Sequence, residues 1–142
     1  MREKFKNQSG ASALEFAIVL PIILLLILGI VEFSFLLYNK AVITNACREG
    51  ARAGIIQRPS PRVSPSEIET IVNNYCFNHL ITFGGSTTPT VTSTAPCPSG
   101  AYSGTDLSVT VTFHYTYLAL PDFVTSLTGG TDLTTQSVMK CE

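Results

Sequence analysis

From Phe16 to Val31 the chain runs sixteen residues without a charged or strongly polar side chain, and directly before that run stands a carboxylate, Glu15. Sixteen helical residues rise about 24 Å, slightly short of a ~30 Å hydrocarbon core. Adding Ala11–Leu14 and Phe33–Leu37 completes a span and brings Glu15 and Glu32 into it. An ionisable group at that depth costs roughly 2.5–3.5 kcal/mol on insertion scales, so its default reading is functional. Gly10 lies five residues before Glu15, behind a basic head of Arg2, Lys4 and Lys6.

That head sets an orientation. Residues 1–10 carry a net charge of +2, and the remaining 132 residues carry −3. The asymmetry predicts residues 1–10 on the cytoplasmic side and the rest outside. A secretory signal peptide would end in a small-x-small cleavage site. Here the apolar core passes instead into Glu32-Phe-Ser-Phe-Leu-Leu-Tyr-Asn-Lys40. Two other readings are an uncleaved single-span anchor and a leader cut before the apolar core, which leaves the anchor on the mature protein.

The helical pattern continues beyond Val31 through Leu36, Ile43, Cys47, Gly50 and Gly54 at spacings of three, four and seven. A helix from Ala11 to about Ile55 is roughly 67 Å long, far more than an anchor needs. Pro21 removes one internal hydrogen bond and is expected to bend it. Gly50 and Gly54 form a small-x-x-x-small row, which fits internal packing on the domain's own sheet and a helix–helix contact equally well. Arg58-Pro-Ser-Pro-Arg-Val63 stops the helix. A second one opens at Ser64, with Pro65 at its first position and Glu67 closing a capping box; Val63 and Ile68 are placed as a hydrophobic staple. Ile68, Ile71, Val72, Tyr75 and His79 share a face, which predicts a partly buried structural role for His79. Phe83-Gly84-Gly85 is the expected stop.

Residues 86–104 are rich in Ser, Thr, Pro and Gly and read as a loop tethered by Cys97, with a short strand near Pro89–Thr94. Leu107, Val109, Val111, Phe113, Tyr115 and Tyr117 alternate with Ser108, Thr110, Thr112, His114 and Thr116. This is a period-two strand with a hydroxyl-rich outer face, on which His114 is solvated. Thr131–Met139 is a last, weaker strand. The fold class is therefore α+β: a long N-terminal membrane helix whose outer half packs on a small antiparallel sheet, plus one short amphipathic helix.

Four cysteines, Cys47, Cys76, Cys97 and Cys141, make no C-x-x-C pair, and the two histidines lie far apart, so no metal site is expected. An even count in an exported domain favours two disulfides, with three connectivities open. The arrangement expected here is Cys76–Cys97, tying the second helix to the loop, and Cys47–Cys141, pinning the last strand across the long helix. No basic surface speaks for nucleic acid. G-x-S-x-G, H-E-x-x-H and phosphate-loop motifs are absent, so neither an enzyme, a cofactor nor a small-molecule substrate is expected.

These pieces together resemble the TadE-like pseudopilins of the tight-adherence (Flp) pilus system, a branch of the type IV pilus superfamily. Gly10-Ala-Ser-Ala-Leu-Glu15-Phe16 is similar to a prepilin peptidase site. Ala17–Pro21 followed by a Leu/Ile run is similar to the family's pattern, as is Asn45-Ala-Cys-Arg-Glu-Gly-Ala-Arg-Ala-Gly54, where the family usually has Ala at the Cys47 position. The Val109–Tyr117 strand and Ser137-Val-Met-Lys-Cys-Glu142 also look like family features. The likeness covers 9–56 and, more loosely, 105–142; the cysteines depart from it.

The resemblance implies cleavage between Gly10 and Ala11. It also implies that Glu15 and Phe16, residues five and six of the product, serve as the assembly contact, with Glu15 pairing with the new α-amino group of a neighbouring subunit. It divides the chain into a leader, 1–10; a long helix, 11–56, with 11–37 transmembrane and 38–56 periplasmic; and a small periplasmic domain, 57–142. The implied partners are the prepilin peptidase, other pilins or pseudopilins, and the inner-membrane assembly platform. The implied role is that of a minor pilin in assembly, priming or tip formation, and hence adhesion. The competing expectation is a membrane-anchored adhesin on an uncleaved anchor.

Overall fold

The computed structural model describes residues 8–56, 63–82, 85–94, 97, 105–117 and 129–141. Helix α1 spans Gln8–Ile55, 48 residues and about 72 Å, and is continuous through Pro21. Its two halves live in different surroundings. Every residue from Gly10 to Val31 is exposed apart from Gly29, which is half-buried. This stretch of 22 residues rises about 33 Å, enough to cross a hydrocarbon core. Burial begins abruptly at Glu32 and then follows one face through Asn39, Ile43, Ala46, Cys47, Gly50 and Gly54. This face was legible as spacing, and it is where the domain's core sits.

Helix α2 spans Pro65–His79. Ser64 Oγ accepts from the Glu67 N–H at 3.3 Å and Glu67 Oε2 accepts from the Ser64 N–H at 2.7 Å, the reciprocal cap read from the sequence. Val63 and Ile68 are both buried in the core, as a staple requires. Two expectations are corrected. The helix ends at His79 with Leu80 as its C-cap, ahead of Phe83. The reason is Asn39: its Oδ1 accepts from the Ile81 N–H at 3.0 Å and its Nδ2 donates to the Ile81 carbonyl at 2.9 Å. Held at both groups, Ile81 cannot continue the helix. His79 is exposed rather than partly buried. It stacks on Tyr75, with ring centroids 4.5 Å apart, and its Nδ1 lies 2.8 Å from the Tyr75 carbonyl.

Three antiparallel strands, β1 (Thr90–Ser93), β2 (Asp106–Tyr115) and β3 (Thr131–Lys140), form one sheet in the order β1-β2-β3. Leu107, Val109, Val111, Phe113 and Tyr115 are buried in the core on the side of the sheet that packs on α1, while Ser108, Thr110 and Thr112 stay half-exposed. β2 carries the predicted alternation from Leu107 but ends at Tyr115, short of Tyr117, and the architecture is α+β with a long apolar N-terminal helix.

The expected disulfides are replaced by one bridge, Cys97–Cys141, with Cα atoms 5.8 Å apart; Cys47 and Cys76 are buried thiols. Register explains why. The Cys141 N–H donates to the Thr105 carbonyl at 2.9 Å, so the last cysteine lies at the start of β2. Cys47 lies deeper, its thiol donating to the Val109 carbonyl at 3.1 Å, and Val109 pairs with Ser137. Ser137 is four residues, about 13 Å, short of Cys141 along the strand. Burial pushes the Cys47 thiol up and the Cys76 thiol up to about 11, which makes both poor nucleophiles.

Candidate functional site

The residues singled out at the N-terminus occupy the first turns of α1. Gly10 and Ala11 are helical and exposed, with no side chain within 4 Å of where a Cβ on Gly10 would stand. Glu15 and Phe16 follow one and a half turns later, also exposed, Phe16 at 65%. The structure therefore puts Gly10, Ala11, Glu15 and Phe16 on one helical segment and brings none of them to the globular domain. Whatever satisfies the Glu15 carboxylate in an apolar setting has to come from outside that domain.

At the other end of the exposed stretch the helix meets the domain through polar groups. Glu32 is 4% exposed and accepts a hydrogen bond from the Tyr115 hydroxyl at 2.5 Å. Tyr115, itself fully buried, ends β2, and its ring meets Tyr117 edge-on with centroids 6.0 Å apart. Burial, followed by the hydrogen bond to the Glu32 carboxylate, holds the Tyr115 hydroxyl well above the ordinary phenol range. Two turns on, Asn39 clasps Ile81, and Lys40 Nζ donates to the Thr134 carbonyl of β3. One helix face thus fastens the α2–β1 connection and the ends of β2 and β3.

Glu32 and Asn39 were not singled out from the sequence; Glu32 entered only as a cost to a longer span. The signal was present, however. Positions 32, 36, 39, 43, 46, 50 and 54 share a face, and a polar residue on a buried stripe needs a partner. Only the fold names that partner.

The small-residue row, left open between two readings, is internal. A Cβ on Gly50 would stand 2.6 Å from Val72 Cγ2, and one on Gly54 would stand 2.4 Å from Leu107 Cδ2 and 2.9 Å from Ile68 Cδ1. The row lets α2 and β2 approach α1 within one chain. Arg48, Glu49 and Arg52 face solvent on the other side.

His114, solvated as expected, holds a contact that the sequence did not show. Its Nδ1 lies 2.6 Å from Asp132 Oδ1 and its Nε2 lies 3.2 Å from the Gly129 carbonyl. Both ring nitrogens face acceptors, which favours the imidazolium, and the Asp132 hydrogen bond raises the His114 pKa. A cleft of about 150 Å³ beside it, lined by Ile81, Ser86 and Phe113 among others, is small against the 300–1,000 Å³ of ligand pockets. Among the described residues no group of three His, Cys, Asp or Glu could hold a metal ion.

Residues 10–52 match the family model described as TadE-like protein, a segment that contains Glu15, Glu32, Asn39 and Gly50. No curated protein and no solved structure matches the chain.

Proposed function

We propose that the chain, whose residues 10–52 match the TadE-like family model, is a Tad pilus-associated protein and within that system a minor pilin or pseudopilin. In this reading the prepilin peptidase cuts between Gly10 and Ala11 at the cytoplasmic face of the inner membrane. Removing Arg2, Lys4 and Lys6 frees the helix to be withdrawn into an assembly. Glu15 then pairs with the new α-amino group at Ala11 of an adjoining subunit, because a charge in apolar surroundings is tolerable when paired. The chain works by binding other pilins and the inner-membrane assembly platform, in priming or at a tip, without enzymatic activity of its own.

The observation that carries this reading is the family match running from Gly10 through the exposed apolar helix into its buried outer half. Membrane segment and domain are one continuous helix, so a pull on the domain is transmitted to the anchor without a linker between them. A folded outer domain of three strands and a capped helix suits a minor subunit better than a short repeating shaft subunit. The test is the intact mass of protein extracted from membranes of cells with an active prepilin peptidase. The expected mature chain begins at Ala11; a chain retaining residues 1–10 overturns the proposal.

A further inference from the structure

Among the described residues β3 is an edge strand ten residues long, paired on one side by β2. The Thr94 N–H donates to the Ser108 carbonyl at 2.8 Å, so Ser108 turns its backbone toward β1. In an antiparallel ladder that direction alternates, so Ser108, Thr110, Thr112 and His114 all face β1. Their β3 partners, Val138, Gln136, Thr134 and Asp132, therefore turn their own N–H and C=O groups away from β2, and so does Lys140 opposite Asp106. Among the described residues no backbone group meets this outward row, and Lys40 Nζ reaches it at the Thr134 carbonyl. Asp132, Thr134, Gln136, Val138 and Lys140 are exposed, Val138 at 57%. A long exposed edge of this kind is a template for another strand.

We propose that the occupant is β3 of a second copy of this chain, paired antiparallel about Gln136. Asp132 then stands opposite Lys140 of the second copy, Thr134 opposite its Val138, and Gln136 opposite itself. All five outward-facing residues bond in this register, and Asp132, which also holds His114, meets the opposite charge of Lys140 from the second copy at both ends. Sliding the register by one outward-facing residue or more leaves part of the row unpaired and separates the opposite charges. Lys40 yields the Thr134 carbonyl or shares it.

Geometry also decides where such a pair forms. α1 runs alongside β3, with Lys40 at Thr134 and Thr44 Oγ1 3.5 Å from Thr135 Oγ1. The twofold axis of an antiparallel pair is normal to the sheet, so it reverses α1. The two membrane helices then point in opposite directions. The contact joins copies held on two facing surfaces, not neighbours in one bilayer, and makes the domain self-adhesive.

The experiment uses the full chain in phosphatidylcholine vesicles with its domain outward, in two dye-labelled populations, with clustering read by coincidence of the dyes. Wild-type vesicles cluster. Asp132→Lys and Lys140→Asp each set like charges opposite one another twice per pair, and each population clusters about tenfold less with its own kind. Mixed with each other, the two variants regain opposite charges at both ends and cluster as wild type. Retention of the Cys97–Cys141 bridge checks that each variant is folded. Wild-type vesicles that stay apart, or variants that fail to rescue each other, overturn the proposal and leave the edge to a foreign strand. The assay needs no pilus machinery, so its failure leaves the pilin reading standing.

Discussion

Tyr115 and Glu32 are separated by 83 positions in sequence and by 2.5 Å in the fold, where the last residue of β2 donates its hydroxyl to a carboxylate at the outer end of the exposed helix. The contact marks the level at which the exposed apolar helix becomes domain core. Tyr115→Phe keeps the ring and removes the donor. Hydrogen bonds to charged groups contribute about 1.5–3 kcal/mol, and a buried carboxylate that loses one is destabilised accordingly. The expected result is a melting temperature lower by about 4–8 °C for each kcal/mol, measured on the detergent-extracted protein. An unchanged melting curve would show that Glu32 is served as well without Tyr115.

Glu15 gives the opposite pattern. It is exposed on α1, so Glu15→Leu is expected to leave the domain's melting temperature unchanged and to ease membrane insertion. In a strain lacking the native gene, the variant should reach the membrane in normal amount and fail to support surface pili. Normal piliation would make the charge incidental and favour an anchored adhesin.

Gly54 and Gly29 separate packing from composition. A methyl group at Gly54 would meet Leu107 and Ile68 at 2.4 Å and 2.9 Å, whereas one at Gly29 would meet nothing within 4 Å. Gly54→Ala should destabilise the domain by roughly 1–3 kcal/mol, the usual cost of overpacking a filled core. Gly29→Ala should leave it unchanged. Chemical denaturation midpoints decide the matter, and equal midpoints for the two variants would refute the close approach at Gly54.

Thiol chemistry tests the bridge. Peptide mapping without reduction should return Cys97 joined to Cys141, with Cys47 and Cys76 alkylated after denaturation only. Cys97→Ser should cost about 2–4 kcal/mol, mainly because the unfolded chain is no longer closed across the 44 residues between the two cysteines. Recovery of a Cys76–Cys97 peptide would restore the pairing expected from sequence.

His114 should titrate above its ordinary value of 6.5, since Asp132 favours its charged form. A raised folded value means that the pair's contribution to stability is fully present below the ordinary histidine pKa and is lost as pH rises through the raised one. The pair is solvent-exposed, so the effect on stability is small and the titration itself is the readout. NMR of the ring protons should show Asp132→Asn bringing the midpoint back down. An identical midpoint in that variant would remove Asp132 as the cause.

Local patterns of period and cap were sufficient for the elements. The apolar run and the spacing beyond Val31 determined one long helix, Ser64-Pro65-Ser66-Glu67 determined the start of the next, and the alternation from Leu107 determined β2 with its buried face. Each rests on residues a few positions apart, whose geometry the chain sets by itself. Tertiary structure decided the rest. Register put Cys141 beside Cys97 rather than under Cys47, and Asn39 stopped α2 early by taking both backbone groups of Ile81. Packing against α2 and β2 gave Gly50 and Gly54 their purpose, and the end of β2 gave Glu32 its partner. These outcomes depend on pairs from fourteen (Gly54 and Ile68) to 83 (Glu32 and Tyr115) residues apart, and no local propensity carries that information.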